Sequence, residues 1–255
     1  MLKEERQALI MRQINVHNKS LSAELSAELN VSEDTVRRDL KEMAEEGKIL
    51  KVHGGAIGRS FHYPFNHNTE VYAQEAKQQI AEKAITLLKD DMVILTGGGT
   101  TMIELAKRIP ESLRATFFTI SPLVAITLAD HSNLTVIGIG GQLSKNSNVH
   151  IGASVINQLN DVKVDLCLLG ANGLSVQEGM TDSDWEVVQV KRAMIHTSRK
   201  LAVLSIAEKL NSVQRMKVCD ISLIHYLITE LSPDTMLLTP FQNREIGRAR
   251  LNSSP

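Results

Sequence analysis

The sequence predicts an α/β chain in two parts: a small helical head that ends in a hairpin, then a larger domain with a mainly parallel sheet covered by helices. Three observations carry this. Residues 1–57 space their apolar side chains helically and then alternate into a Gly-Gly turn. From residue 76, six short apolar runs ("MVILTG", "TFFTIS", "LTVIGIGG", "VDLCLLG", "LAVLSI" and "ISLIHYLIT") alternate with helical patterns. Such runs are strands buried on both faces by crossover helices. Residues 58–75 read as a linker, so the expected boundaries are 1–57, 58–75 and 76–255.

The elements of the head follow in order. Leu2, Leu9, Ile10 and Ile14 give a first helix over about residues 2–17. Ser20 opens a second, "LSAELSAELN", with Leu21, Leu25 and Leu29 on one face, and Asn30 suits a left-handed turn residue. Ser32 caps the third, "VSEDTVRRDLKEM": Glu33 and Asp34 favour the helix dipole, and Val31 and Val36 form a hydrophobic staple. Val36, Leu40 and Met43 make its buried stripe, Arg38 and Lys41 point outward, and Asp39 at the core edge is expected to brace a base or a backbone donor. Gly47 stops the helix, and "KILKVHGGA" enters the turn.

Two readings of the third helix remain open on its own residues. Asp34–Arg38, Arg38–Glu42 and Lys41–Glu45 make it an ordinary salt-bridged surface helix. Alternatively, a helix, tight turn, helix and hairpin in this order form a winged helix-turn-helix, whose second paired helix enters the major groove.

Composition limits the alternatives. The 255 residues are 43% hydrophobic and 22% charged, enough for one to two domains, and the net charge of -1 leaves no overall field for nucleic acid or membrane. Residues 1–60 hold ten basic and ten acidic side chains, so any DNA contact is local and dimerisation is expected to add avidity. Cys167 and Cys219 lie in apolar runs as expected buried thiols. The charged start "MLKEERQALI" and the lack of an apolar stretch near about 20 residues point to a cytoplasmic protein. His62 and His67 lack companion ligands, so no metal is expected. The linker holds Phe61, Tyr63, Phe65 and Tyr72, four of nine aromatics, and part of it is expected to pack on a domain. The tail "REIGRARLNSSP" is expected to fray.

"VSEDTVRRDL", with Arg6 and Ile10 upstream and "EEGKILKVHGGA" downstream, resembles the DNA-binding domain of the DeoR family of bacterial transcription regulators over residues 3–57. Ser26 and Lys51 depart from the family pattern but preserve size or charge. The resemblance implies Ser32, Thr35, Arg37, Arg38 and Lys41 as helix contacts to DNA, and Lys51, His53 and Gly54 as wing contacts. Hydroxyls and amides would fix register on phosphates, and an Arg can read guanine.

In the second domain, "VILTGGGTTMIELAKRI" joins a strand to a helix through Gly97, Gly98 and Gly99, followed by Thr100 and Thr101. Glycines admit a ligand to the backbone, and the helix start offers unpaired N–H groups to an anion. A plain tight connection is the competing reading. The turn is neither a Walker motif nor GxGxxG, so no nucleotide cofactor is expected. "TISPL", "GIGGQL", "LLGANG" and "EGMTD" read as further turns at the carboxyl edge of the strands. Lys191, Arg192 and Lys209 are candidate cations, and Trp185 is expected to pack on its helix.

Over residues 76–230 this arrangement is similar to the effector domain of the same family, which is related to sugar-phosphate isomerases. The likeness implies a Rossmann-like fold and a phosphorylated sugar or related phosphate ester as effector. The residues implied are Gly97, Gly98, Gly99, Thr100, Thr101, Ser121, Gly140, Gly141, Gly170, Asn172, Gly173, Thr181, Lys191 and Lys209. Gly97, Ile120 and Ile206 replace the usual acid, Asn and Asp, so several groups that would hold sugar hydroxyls are missing. The expectation is a homo-oligomeric operator-binding repressor (dimer or tetramer) of a carbohydrate or polyol operon, with no catalytic residues. The alternative is a sugar-phosphate isomerase-like enzyme carrying a DNA-binding domain, for which Asp165, Asp182, Asp184 and Glu186 are the available acids.

Overall fold

A computed structural model of the chain describes residues 1–17, 19–58 and 71–242, and the chain divides into two units between Tyr72 and Ala73. Phe61, His62, Tyr63, Phe65, His67 and the tail from residue 243 lie outside the described residues.

The first unit holds α1 (Lys3–His17), β1 (Lys19–Leu21), α2 (Ser22–Leu29), α3 (Glu33–Glu45), β2 (Ile49–Val52) and β3 (Gly55–Gly58). Its core is Ile10, Ile14, Leu25, Val36, Leu40, Met43, Ile49 and Ala56, with Val31 packed against it. Of the four apolar residues at helical spacing, Ile10 and Ile14 are buried in the core and Leu2 and Leu9 are exposed. The second helix starts at Ser22, not Ser20. Residues 19–21 pair antiparallel with β3, Ser20 opposite Ala56, so the wing is a three-stranded sheet in the order β1-β3-β2. Gly55 permits that approach: a Cβ there would stand 2.1 Å from the Ser20 carbonyl oxygen. Leu21 therefore ends a strand rather than sharing a helix face with Leu25. Asn30 does turn left-handed, at φ 50°.

Asp39 braces the head. Its carboxylate accepts from Arg6 Nε at 2.5 Å and Nη2 at 3.1 Å, with only 3% of its side chain exposed. This bidentate pair ties α1 to α3.

The second unit is built on β4 (Val93–Thr96), β5 (Ala115–Thr119), β6 (Leu134–Gly138), β9 (Val164–Gly170), β12 (Ser198–Leu204) and β14 (Tyr226–Ile228). Each of the six apolar runs supplies one of these strands. They form one parallel sheet in the order β6-β5-β4-β9-β12-β14. That is Rossmann order, and the direction of winding reverses between β4 and β9. The helices are α4 (Gln74–Ile85), α5 (Thr100–Arg108), α6 (Pro122–Ala129), α7 (Ala153–Asn160), α8 (Trp185–His196) and the short α9 (Thr239–Gln242). Leu95, Cys167, Leu169 and Val203 face one layer with Val155, Val187 and Met194 of α7 and α8. Ile94, Leu168 and Ala202 alternate with them along the strands and are also buried, against the other layer.

Two accessory sheets were not expected: β7 (Gln142–Leu143) with β8 (His150–Ile151), and β10 (Gly173–Ser175), β11 (Gly179–Asp182) and β13 (Met216–Cys219) in the order β10-β11-β13. "GMTD", read as a turn, is β11. Trp185, expected to pack, is exposed at the first turn of α8. Cys167 and Cys219 are buried free thiols, and burial pushes them up to about 12 and about 11. Lys83 of α4 donates to three successive carbonyls after β14, those of Thr229, Glu230 and Leu231, at 2.8, 3.1 and 2.8 Å. This clamps the helix to the sheet edge. Among the described residues no helix is long and apolar enough to cross a membrane.

Replacing Asp39 with Ala strands a part-buried guanidinium, and urea unfolding should show a loss of about 1 to 3 kcal/mol. A loss under about 0.5 kcal/mol would mean that the pair does not hold α1 to α3.

Candidate functional site

The exposed face of the head sorts its cations by partner. Ser32 Oγ accepts from the Thr35 amide at 3.2 Å and lies 2.8 Å from Thr35 Oγ1, so both hydroxyls stand at the start of α3. Arg37 pairs with Glu33 at 2.9 Å and Asp34 at 3.6 Å, and Lys41 pairs with Glu45 at 3.8 Å. The pairs Asp34–Arg38 and Arg38–Glu42 do not form: Arg37 takes the Asp34 carboxylate, and among the described residues Arg38 makes no ion pair. Lys51, His53 and Gly54 are exposed on the wing, where Gly54 has φ +76° and its carbonyl accepts from the Ser22 amide at 2.8 Å. α3 thus presents one uncompensated guanidinium between ion-paired neighbours.

The second unit gathers its chemistry where the sheet reverses. Thr96 ends β4 with its hydroxyl buried and, among the described residues, without a hydrogen-bond partner. Gly97 donates to the Leu168 carbonyl of β9 at 3.0 Å. A Cβ at Gly98 would stand 2.4 Å from Val149 Cγ1 and 3.3 Å from Ser121 Cβ, so only glycine fits. Gly99 has φ +105° and precedes α5. Among the described residues the amides of Gly98, Gly99, Thr100 and Thr101 and the hydroxyls of both threonines find no acceptor. Residues 98–101 keep accessible surface. This is a set of unpaired donors at the positive end of a helix.

Beside it lies a charged corner. Gly170 ends β9 close to the loop, with Gly98 O 4.0 Å from where its Cβ would be. Lys191 of α8 donates to the Gly170 carbonyl at 2.9 Å and to Asp182 Oδ2 at 2.7 Å. Asp182 Oδ1 accepts from Asn172 Nδ2 at 2.9 Å and the Ser183 amide at 2.7 Å. Burial pushes the Asp182 carboxyl up, but Lys191 and these hydrogen bonds outweigh it and hold it below the usual range. Lys209 donates to the Ala171 carbonyl at 3.0 Å. It is carried by the turn Ala207–Lys209, whose first amide is held by the Glu230 carboxylate at 3.0 and 3.1 Å. Burial, and then the nearby ammoniums of Lys77 and Lys191, push Lys209 down to about 7, with Asp182 opposing. Burial pushes Lys77 of α4 down to about 8 against the pull of Glu104 and Glu208.

The remaining predicted residues sit around this centre. Ser121 caps α6 and is buried against the glycine loop. Thr181 Oγ1 accepts from the Gln214 amide at 2.8 Å, and Gly173 lies against it. Gly140 is exposed and its carbonyl accepts from Gln158; Gly141 packs against Val155 at the start of α7. Arg192 turns away from the corner to the Lys217 carbonyl.

Comparison with known proteins agrees with both halves. The DeoR-like helix-turn-helix domain matches residues 6–60, and the DeoR C terminal sensor domain matches residues 72–231. The chain belongs to the DeoR family. Among curated relatives, this DeoR-family chain is 33% identical over 241 residues to the HTH-type transcriptional regulator GolR of Listeria innocua, covering 94% of this chain and 95% of that one. It is 30% identical to the HTH-type transcriptional repressor GlcR of Bacillus subtilis, covering 92% and 91%. It also has a remote likeness to ribose 5-phosphate isomerase A of Methanocaldococcus jannaschii, at 19% identity over 54% of each chain and a TM-score of 0.39.

Sequence reasoning missed Lys77 and Glu104. The signal for Lys77 was its spacing: it stands three, four and seven residues before Ile80, Ala81 and Ala84, so it shares their buried face. Glu104 lies within the apolar face of α5 and pairs with Lys107 at 3.1 Å and Arg108 at 2.5 Å.

The two lowered lysines give the site a signed pH dependence. Lys209 loses its charge through about 7 and Lys77 through about 8, so both are fully charged only well below those values. Without an anion, their folded pKa values lie below the unfolded one, so they add stability as pH rises from about 7 toward about 10. Anion binding runs the other way. Sulfate, a dianion throughout, should bind at least about tenfold more weakly by calorimetry at about pH 9 than at about pH 6. Equal affinity at both would show that the lysines do not contribute.

Proposed function

We propose that this DeoR-family chain is a repressor of a carbohydrate or polyol operon in the cytoplasm. It binds operator DNA as a homo-oligomer through α3 and the wing, and a phosphorylated small molecule at the carboxyl edge of β4 and β9 lowers that affinity. The observation that carries the effector half is the turn Gly98–Thr101, with four unpaired amides and two threonine hydroxyls, beside Gly170, whose carbonyl Lys191 binds. The relatives named as regulators support the DNA half. On the head, Ser32, Thr35, Arg37, Arg38 and Lys41, with Lys51, His53 and Gly54, form the proposed contact set.

A catalytic role fits the acids poorly. An isomerase base needs an accessible carboxylate with a proton to take. Asp182 is saturated by four donors and held ionised. Asp165 sits at the amino end of β9, bonded to the Val93 amide and Arg199. Asp184 caps α8, and Glu186 is exposed on its first turn. We therefore read the chain as a sensor without turnover.

Two measurements test this. Fluorescence anisotropy with operator DNA should show that Arg38→Ala weakens binding to every duplex and lowers the slope of log affinity against log salt by about one; an unchanged slope removes Arg38 from the phosphate contacts. Thr100→Phe should abolish release by phosphate esters while leaving operator affinity within about twofold of wild type, since the substitution lies in the other unit. Release that persists in this variant would put the effector elsewhere.

A further inference from the structure

Lys209 is a cation of the lysine corner that no carboxylate bonds among the described residues. Lys191 claims Asp182 at 2.7 Å, and Lys77 has Glu104 and Glu208 as its opposing charges. Lys209 makes no ion pair: among the described residues its ammonium reaches the neutral Ala171 carbonyl, and its charged neighbours are the two other lysines and, opposing them, the Asp182 carboxylate that Lys191 already binds. Ile206 and Leu210, at 3% and 6% exposure, flank its turn. A desolvated ammonium of this kind either sheds its proton or takes up an anion.

Hydrogen-bonding capacity points the same way. The acceptors at this end are already taken: Gly170 O by Lys191, Ala171 O by Lys209, and both oxygens of Asp182 by Lys191, Asn172 and Ser183. Among the described residues the unpaired groups of the glycine loop are four amides, which only donate, and two threonine hydroxyls, which can also accept. A sugar hydroxyl both donates and accepts, whereas carboxylate and phosphate only accept. The glycine loop after β4 already offers one phosphate its four amides and two hydroxyls, while Lys209 is anchored beyond the end of the next strand, β9, about 5 Å across the sheet.

We propose that the effector carries two acidic groups: a phosphate seated on the Gly97–Thr101 loop, and a second acid, carboxylate or phosphate, seated at Lys209. This rests on the sensor reading above and narrows it to a phosphorylated sugar acid or a bisphosphate. Such a ligand supplies the charge that Lys209 lacks.

Matched pairs test it by calorimetry on the full chain: glucose 6-phosphate against 6-phosphogluconate, and fructose 6-phosphate against fructose 1,6-bisphosphate, with inorganic phosphate and gluconate as single-acid controls. The expected result is that at least one two-acid compound binds about tenfold or more tighter than its monoester. Lys209→Met should cost the two-acid compound about tenfold more affinity than it costs the monoester, which cancels that advantage, and the winning pair tells which acid Lys209 holds. Should the variant fail to fold, the wild type still decides: in buffers of different ionisation heat, the two-acid ligand should draw more protons onto the protein than its monoester. Monoesters that bind as tightly as both two-acid partners, with equal proton uptake, overturn the two-acid ligand and leave the sensor reading intact. Failure of every phosphate compound to bind overturns both.

Discussion

Desolvated positive charge at one edge of a parallel sheet is the constraint on which the second unit turns. Lys77, Lys191 and Lys209 come from α4, α8 and the turn after β12, far apart in the chain, and meet because β4 and β9 are neighbours at the point where winding reverses. A strand reversal leaves a crevice that no crossover helix fills. Hydrophobic burial makes the sheet, but it also sets the low dielectric that makes unlike charges bind and like charges repel there. Asp182 settles one of the three lysines and fixes its orientation through Asn172 and the Ser183 amide. The same arrangement that strains Lys209 in isolation makes the corner receptive to an anion.

The head solves an opposite electrostatic problem. It holds as many acids as bases, so long-range attraction to DNA is weak and contact must be made side chain by side chain. α3 does this by arranging its own acids. Glu33 and Asp34 favour the helix start and also occupy Arg37, which leaves Arg38 as a guanidinium without an internal partner. Asp39, one residue further, points inward and is consumed by Arg6. The charge pattern of this one helix thus separates a structural pair, a screened pair and an open cation within three residues.

The fold was legible where the signal was periodic and long. The six strands of the main sheet are continuous apolar runs, and Ser32, Asn30 and Gly47 mark the ends of helices by local chemistry that does not depend on tertiary contacts. It failed where an element is only two to four residues and is defined by a distant partner. β1 is a strand because Gly55 lets β3 approach it, and β11 because Thr181 and Met180 find β10 and β13. The site divides in the same way. Glycines and threonines announce the loop in sequence, and Lys191 and Lys209 follow from family likeness. Lys77 hides in the apolar stripe of α4 because its meaning lies in residues more than a hundred positions away.

α4 is where ligand charge and chain path share one rigid body. It is a helix of 12 residues that starts just after Ala73, the first residue of the second unit. Ala73 sits at φ 50°, a conformation that costs a non-glycine residue about 1 to 2 kcal/mol. Four residues on, Lys77 faces the anion corner; six further, Lys83 is fixed by three carbonyls beyond β14. A ligand can shift operator affinity only by the difference in its affinity for two arrangements of the protein. Lys83 thus fixes the carboxyl half of α4, while the amino half carries Lys77 and adjoins Ala73, whose backbone is already in a costly conformation.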